Sequence, residues 1–247
     1  MTPPLARLSG VVKRFGSVTA LDGAELTVLP GEVHGVLGEN GAGKTTLLHV
    51  LGGMLRPDGG RMEVEGEVRR FLSPRDAWRA GVGLVHQHFT LVPTLTVLEN
   101  LALGRRSASG GFRLPYATLR REVGALVERT GLQVPLEARV EALGVGTRQR
   151  VEILKTLLRR PRVLVLDEPT AVLAPSEVRA LFRLLRELAA EGRAVVLVAH
   201  KLDEILGVAD RLTVLRRGRT VLQRPREEVD APALVRAMVA SGAVDPV

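Results

Sequence analysis

Gly38-Glu39-Asn40-Gly41-Ala42-Gly43-Lys44-Thr45 has the spacing G-x-x-x-x-G-K-[ST] of a phosphate-binding loop. Glycines at such positions leave backbone N–H groups free to turn inward onto phosphate oxygens. Lys44 adds a point charge for the β- and γ-phosphates, and the Thr45 hydroxyl is placed to ligate Mg²⁺. The flanks agree with the loop. Glu32–Leu37 reads as a strand leading into it, and Thr45–Leu51 reads as a helix leaving it, with its positive end on the anion. Residues 38–46, Gly38, Glu39, Asn40, Gly41, Ala42, Gly43, Lys44, Thr45 and Thr46, are therefore the expected nucleotide contacts.

A second carboxylate-bearing motif follows. Val163-Leu164-Val165-Leu166 is an apolar strand that runs directly into Asp167 and Glu168. A strand ending in Asp is how a phosphate-loop enzyme holds its Mg²⁺, directly or through water. The next carboxylate, where the strand has ended, is placed to orient and deprotonate an attacking water.

Around these motifs the periodicity changes along the chain. Val11–Phe15, Ala24–Val28 and the stretch about Arg61–Val68 mix or alternate apolar and polar residues, as half-buried antiparallel strands do. Gly83–His86, Val163–Leu166 and Val195–Val198 are short continuous apolar runs separated by helical patterns, which predicts a parallel sheet covered on both faces. Between them, residues 90–158 read as a helical insertion. Thr96 and Glu99 have capping-box spacing, and apolar residues recur at helical intervals over Leu119–Arg129 and Val151–Leu158. Pro175-Ser176-Glu177 opens an amphipathic helix whose stripe is Val178, Leu181, Phe182, Leu185 and Leu188, a core face closed by Gly192.

Bulk composition narrows the class. The 247 residues hold no cysteine, which excludes disulfides, thiolate chemistry and zinc fingers. No apolar run approaches the about 18 residues of a membrane span, and Met1–Leu5 lacks the charged start of a secretory signal, so the sequence predicts a protein of the cytosol, soluble or peripheral. The net charge of +8 comes from scattered pairs such as Arg69-Arg70 and Arg159-Arg160, and aromatics are only 3% of the chain. That pattern speaks against nucleic acid and suits anionic headgroups or an acidic partner. Lysine stands only at 13, 44, 155 and 201, a bias that fits a GC-rich genome or a hot habitat.

Taken in order, the motifs resemble the ATP-binding-cassette (ABC) ATPase family. Asp167-Glu168-Pro169-Thr170 follows the phosphate loop; Gln87 stands at the Q-loop position and His200 at that of the switch histidine. Leu143–Arg150 occupies the place of the signature motif, and Ala171–Ala174 that of the D-loop. Phe15 matches the aromatic that stacks on adenine, with Ala20 as a packing neighbour. The resemblance implies an α/β fold: a P-loop NTPase (RecA-like) core with an antiparallel β subdomain and a helical insertion subdomain. Residues 1–247 would form one ABC ATPase domain, with 1–89 and 159–247 as core and 90–158 as the helical subdomain. It implies ATP and Mg²⁺ as cofactors, with Thr45, Gln87 and Asp167 on the metal. Glu168, His200, Lys44 and Gln87 would be the catalytic group, and Gly144 and Gly146 would reach ATP on an opposing subunit. The signature departs from Leu-Ser-Gly-Gly-Gln: Gly144 replaces the serine and Thr147 the final glutamine. Losing a hydrogen bond to a charged group costs about 1.5–3 kcal/mol, so turnover is expected to be slower.

The segments His86–Val97, Gly31–His34, Ala171–Glu177 and His200–Glu204 resemble ATPases of bacterial importers for simple sugars and nucleosides, which commonly fuse two cassettes. This chain resembles their first half. The resemblance implies a peripheral protein at the cytoplasmic face of the membrane, partnered by ABC permease subunits, by a second ATPase cassette (a copy of itself or another) and, indirectly, by a solute-binding protein. No nucleic-acid partner is expected. Two alternatives remain at this level: a soluble ABC ATPase acting on ribosomes or DNA, and a low-turnover, nucleotide-gated regulatory cassette.

Overall fold

The computed structural model describes residues 2–86, 89–103, 116–199 and 201–239. Strands are β1 Ala6–Phe15, β2 Val18–Val28, β3 Val33–Leu37, β4 Gly59–Val64, β5 Glu67–Val68, β6 Val82–Val85, β7 Val163–Asp167, β8 Ala194–Val198, β9 Arg211–Arg216 and β10 Arg219–Pro225. Helices are α1 Lys44–Leu51, α2 Pro74–Arg79, α3 Val97–Ala102, α4 Tyr116–Thr130, α5 Val145–Leu157, α6 Pro175–Ala190, α7 Leu202–Leu206 and α8 Ala231–Val239.

Two sheets form. The first is antiparallel in order β2-β1-β4-β5; the second runs β10-β9-β3-β8-β7-β6, parallel except for the antiparallel edge strand β10. In the parallel sheet, successive side chains serve opposite faces, as strand geometry requires. Val163 and Val165 of β7 and Ala194, Val196 and Val198 of β8 join the core shared with the antiparallel sheet and α1. Leu164, Leu166, Val195 and Leu197 join the core beneath α3, α4, α5 and α6. Burial on both sides explains why these strands read as unbroken apolar runs. Most of the expected α6 stripe is seen: Leu181, Leu185 and Leu188 are buried and Phe182 packs at the edge of the same core, while Val178, in the first turn, is only partly buried.

Several elements differ from the sequence reading. β2 starts at Val18 and α5 at Val145, both well before the predicted Ala24 and Val151. The β9–β10 hairpin, α2, α7 and α8 were not assigned from the sequence at all. The capping box of α3 is present as expected: the Glu99 N–H donates to Thr96 Oγ1 at 3.2 Å, and the Thr96 N–H donates to Glu99 at 2.7 Å.

Candidate nucleotide site

The site lies where open α/β sheets place ligands, at the carboxyl ends of neighbouring parallel strands. β8 lies between β3 and β7, and its Val198 pairs with Val36 on one side and Asp167 on the other. The register therefore sets Asp167 level with the end of β3, two strand spacings or roughly 9.5 Å across, just where the phosphate loop begins.

Two glycines of that loop are sterically required. Gly38 has φ +149°, and a Cβ there would stand 2.3 Å from the Leu215 carbonyl oxygen. Gly43, at φ +103°, leads into α1, and a Cβ would stand 2.6 Å from the Ala20 carbonyl oxygen. The Ala20 backbone thus lies against the loop. Phe15, at the end of β1, leaves nearly half of its surface exposed, with the Lys13 ammonium 5.5 Å from its ring centroid. Glu39, Asn40 and Gly41 are exposed on the loop's outer turn, while Thr45 and Thr46 are partly buried in the first turn of α1. That turn carries no acidic side chain, leaving its dipole uncompensated for an anion.

Lys44 is buried, and its ammonium donates to the carbonyl oxygens of Gly38 (2.8 Å) and Glu39 (3.0 Å). The loop thereby holds its own cation at its centre. Burial lowers the Lys44 pKa, against the nearby charges of Glu168 and Asp167. Asp167 is fully buried, and neither carboxylate oxygen has a well-formed hydrogen bond among the described residues. Burial pushes its pKa up, with the Thr45 hydroxyl and then the charges of His49 and Lys44 pulling the other way. An orphaned buried carboxylate beside a threonine hydroxyl is a donor set that fits a hard divalent cation such as Mg²⁺.

Glu168 follows in the left-handed region, at φ +53°, with its N–H donating to the Val198 carbonyl at 3.0 Å. A glutamate held there is strained, and the turn swings its side chain out of strand register. Thr170 donates to Glu204 of α7 at 2.7 Å, tying the exit of β7 to the segment after residue 200. Gln87 and His200 lie outside the described residues.

Gly144 is the N-cap of α5 and, with Gly146, opens a helix that again lacks an acidic first turn. Among the described residues, no atom lies within 4 Å of where a Gly144 Cβ would stand, and a Cβ on Gly146 would stand 3.2 Å from the Val172 carbonyl oxygen of the loop after β7. Thr147 accepts from Arg150 at 2.7 Å, and Arg150 pairs with Glu177 of α6 at 2.6 Å. The start of α5 is thus bound to the start of α6.

Sequence reasoning passed over three features. His49 of α1 meets His86 edge-on, with ring centroids 5.8 Å apart, and burial holds His86 down at about 4. Asn100 is fully buried and organises the turn before α3 through Val92, Leu95 and Thr96. Glu152, buried on α5, accepts from both the N–H and the hydroxyl of Thr90. Each bridges residues whose pairing local periodicity does not reveal.

The chain is 48% identical over 236 residues to a ribose import ATP-binding protein (RbsA 3) of Rubrobacter xylanophilus, covering 96% of this chain and 48% of that one. It is 46% identical over 211 residues to the nucleoside import ATP-binding protein NupA of Lactococcus lactis subsp. cremoris, covering 85% of this chain and 42% of the other. It spans about half the length of these relatives. A dimeric ATP-binding cassette in a post-hydrolysis state, bound to ADP and Pi, superposes with a TM-score of 0.79 at 25% identity, covering 90% of this chain and 98% of that one. Residues 21–171, more than half of the sequence, match the profile of the ABC transporter family, and the chain belongs to that family.

Proposed function

We propose that this chain is the ATP-hydrolysing part of an importer for a simple sugar or a nucleoside. The observation that carries the reading is the orphaned Asp167 carboxylate and the strained Glu168 beside it, set level with the end of the strand that leads into the phosphate loop. Residues 38–46 bind the phosphates, Phe15 and Ala20 flank the base, and Glu168 activates water, assisted by His200, Lys44 and Gln87. Thr45, Asp167 and Gln87 would hold Mg²⁺, which supplies charge neutralisation for the phosphates when bound. The names of the related ribose and nucleoside import proteins support the solute class.

In this reading, residues 1–89 and 159–247 form the core and 90–158 the helical subdomain of one cassette. It pairs with a second cassette, as the dimeric neighbour suggests, and Gly144 and Gly146 face the nucleotide of that partner. No helix among the described residues is long and apolar enough to cross a membrane. In this reading permease subunits supply the pathway, with this chain on their cytoplasmic face. ATP bound between two cassettes favours their closed state, and hydrolysis releases it. The low-turnover regulatory reading keeps one specific support, the missing serine hydroxyl at Gly144.

The test is uptake of labelled ribose and uridine in a strain lacking the gene. Complementation by the wild-type gene restores uptake of one of them, and Lys44→Ala does not. Unchanged uptake of both solutes in the deletion strain contradicts the reading.

A further inference from the structure

A cavity of about 650 Å³ lies between α4 and α6, with the end of α5 beside them. Small-molecule sites usually measure about 300–1,000 Å³. Leu157, Leu184 and Leu188 of the core, with the partly buried Leu126 and Leu158, form its apolar wall. Arg121, Arg129, Arg160 and Arg193 line it against two carboxylates, Glu122 and Glu191. Four cations against two anions leave the lining positive.

The arginines fall into two pairs. Arg129 bonds Glu191 at 2.5 Å and lies 3.6 Å from Glu187, and Arg193 lies 3.4 Å from Glu191. These two are held by carboxylates, and Arg129 fastens α4 to the end of α6. Arg121 and Arg160 have no carboxylate partner among the described residues; Arg121 reaches only the Thr118 hydroxyl of its own helix, at 3.4 Å. Arg160 carries a second signal. It follows α5 at φ +52°, in the left-handed region where glycine or asparagine is the usual residue. It also precedes Pro161, a place that favours extended backbone. Glycine would make this turn without strain, so the turn itself does not call for an arginine. A strained residue at the wall of a cavity points to a use for its side chain.

The cavity is remote from the phosphate loop. Arg160 stands three residues before β7 and Arg193 one before β8, at the amino ends of strands whose carboxyl ends face the nucleotide site. The five residues of β7 separate the two places by roughly 16 Å, at about 3.3 Å per residue.

Unpaired guanidinium forks beside a leucine wall fit an anion with an apolar body. A planar carboxylate matches such forks bidentately, and an alkyl chain laid on the leucines leaves water. We propose that this cavity binds a fatty carboxylate, with its head on Arg121 and Arg160 and its chain on Leu126, Leu158 and Leu184. The site is separate from the ATPase reading and does not depend on it.

The experiment is calorimetry of the purified full chain with decanoate below its micelle concentration. Acetate serves as the head alone and decyl maltoside as a neutral chain. Wild type is expected to bind decanoate saturably with Kd below about 0.1 mM, and both controls at least about tenfold more weakly. Arg121→Gln and Arg160→Gly are each expected to weaken decanoate about tenfold, as loss of a hydrogen bond to a charged group does. ATP affinity should stay within about twofold in both, since neither residue is near the phosphate loop. Glycine suits the left-handed turn, so Arg160→Gly is expected to melt no lower than wild type, and its lost binding is then not a failure to fold. No saturable binding by the wild type, equal binding of decyl maltoside, or wild-type affinity in either variant overturns the inference.

Discussion

Replacing Asp167 with asparagine is expected to stabilise the nucleotide-free protein and to remove most of its response to Mg²⁺ and ATP. Asp167 sits fully buried at the end of β7 with both oxygens lacking a well-formed bond among the described residues, and burial has raised its pKa. An unsatisfied buried polar group costs about 1–3 kcal/mol, more when charged, and Lys44 and His49 nearby offset part of that cost here. A neutral amide of the same shape removes only the charge-related part of that cost, its own polar atoms being as unpaired, and should recover about 1 kcal/mol. At about 2–4 °C per kcal/mol for a chain of this size, the apo melting temperature rises by roughly 2–4 °C. Ligand reverses the ranking. A hundredfold excess over Kd adds about 2.7 kcal/mol to the wild type by mass action, and the variant, without the carboxylate that fits the cation, gains little. Differential scanning fluorimetry with and without MgATP reads both quantities. A variant that melts lower than wild type without ligand, yet is protected equally by MgATP, would refute the reasoning.

Three further outcomes follow from the geometry. Gly144→Ser meets no atom within 4 Å among the described residues at φ −65°; it is expected to raise ATP turnover several-fold by restoring a hydroxyl donor, with stability changed by less than about 0.5 kcal/mol, as checked by steady-state phosphate release and urea melts. Gly43→Ala places a methyl 2.6 Å from the Ala20 carbonyl oxygen in a left-handed backbone; ATP affinity measured by calorimetry should fall at least tenfold. His34 is fully buried on β3, bonded at 2.7 Å to Thr213, and burial holds its pKa at about 3. Below pH 6.5 the unfolded chain binds a proton that the folded one refuses, so stability is lost as pH falls from 6.5 toward 3. The loss is about 1.4 kcal/mol per unit, or about 2 kcal/mol by pH 5, and urea melts of His34→Asn at pH 7 and 5 should show a smaller drop than wild type.

The parts of the fold that local pattern specifies were legible in the sequence. The loop at 38–45, the apolar runs of β7 and β8, the Thr96–Glu99 box and the stripe of α6 each depend on neighbours a few positions away. The β9–β10 hairpin was not legible because its turn places Arg217 at φ +48° ahead of Gly218, where asparagine or glycine is the usual signal. α7 is five residues long, too short to show a period. Within the site, sequence spacing named Asp167 and Glu168 but not the left-handed turn that separates their directions. Nor did it reveal the grip of Glu152 on Thr90: Val151 and Ile153 on either side are buried, and the carboxylate's partner belongs to another part of the chain.

The central claim, that Glu168 drives hydrolysis at the site formed by this chain's own phosphate loop, is tested most directly by comparing ATP binding and ADP formation in Glu168→Gln and wild type. The account predicts ATP affinity within about twofold and ADP formation slowed about 10²–10⁴-fold, the usual contribution of a general base. Glu168→Gln forming ADP within tenfold of the wild-type rate would contradict it.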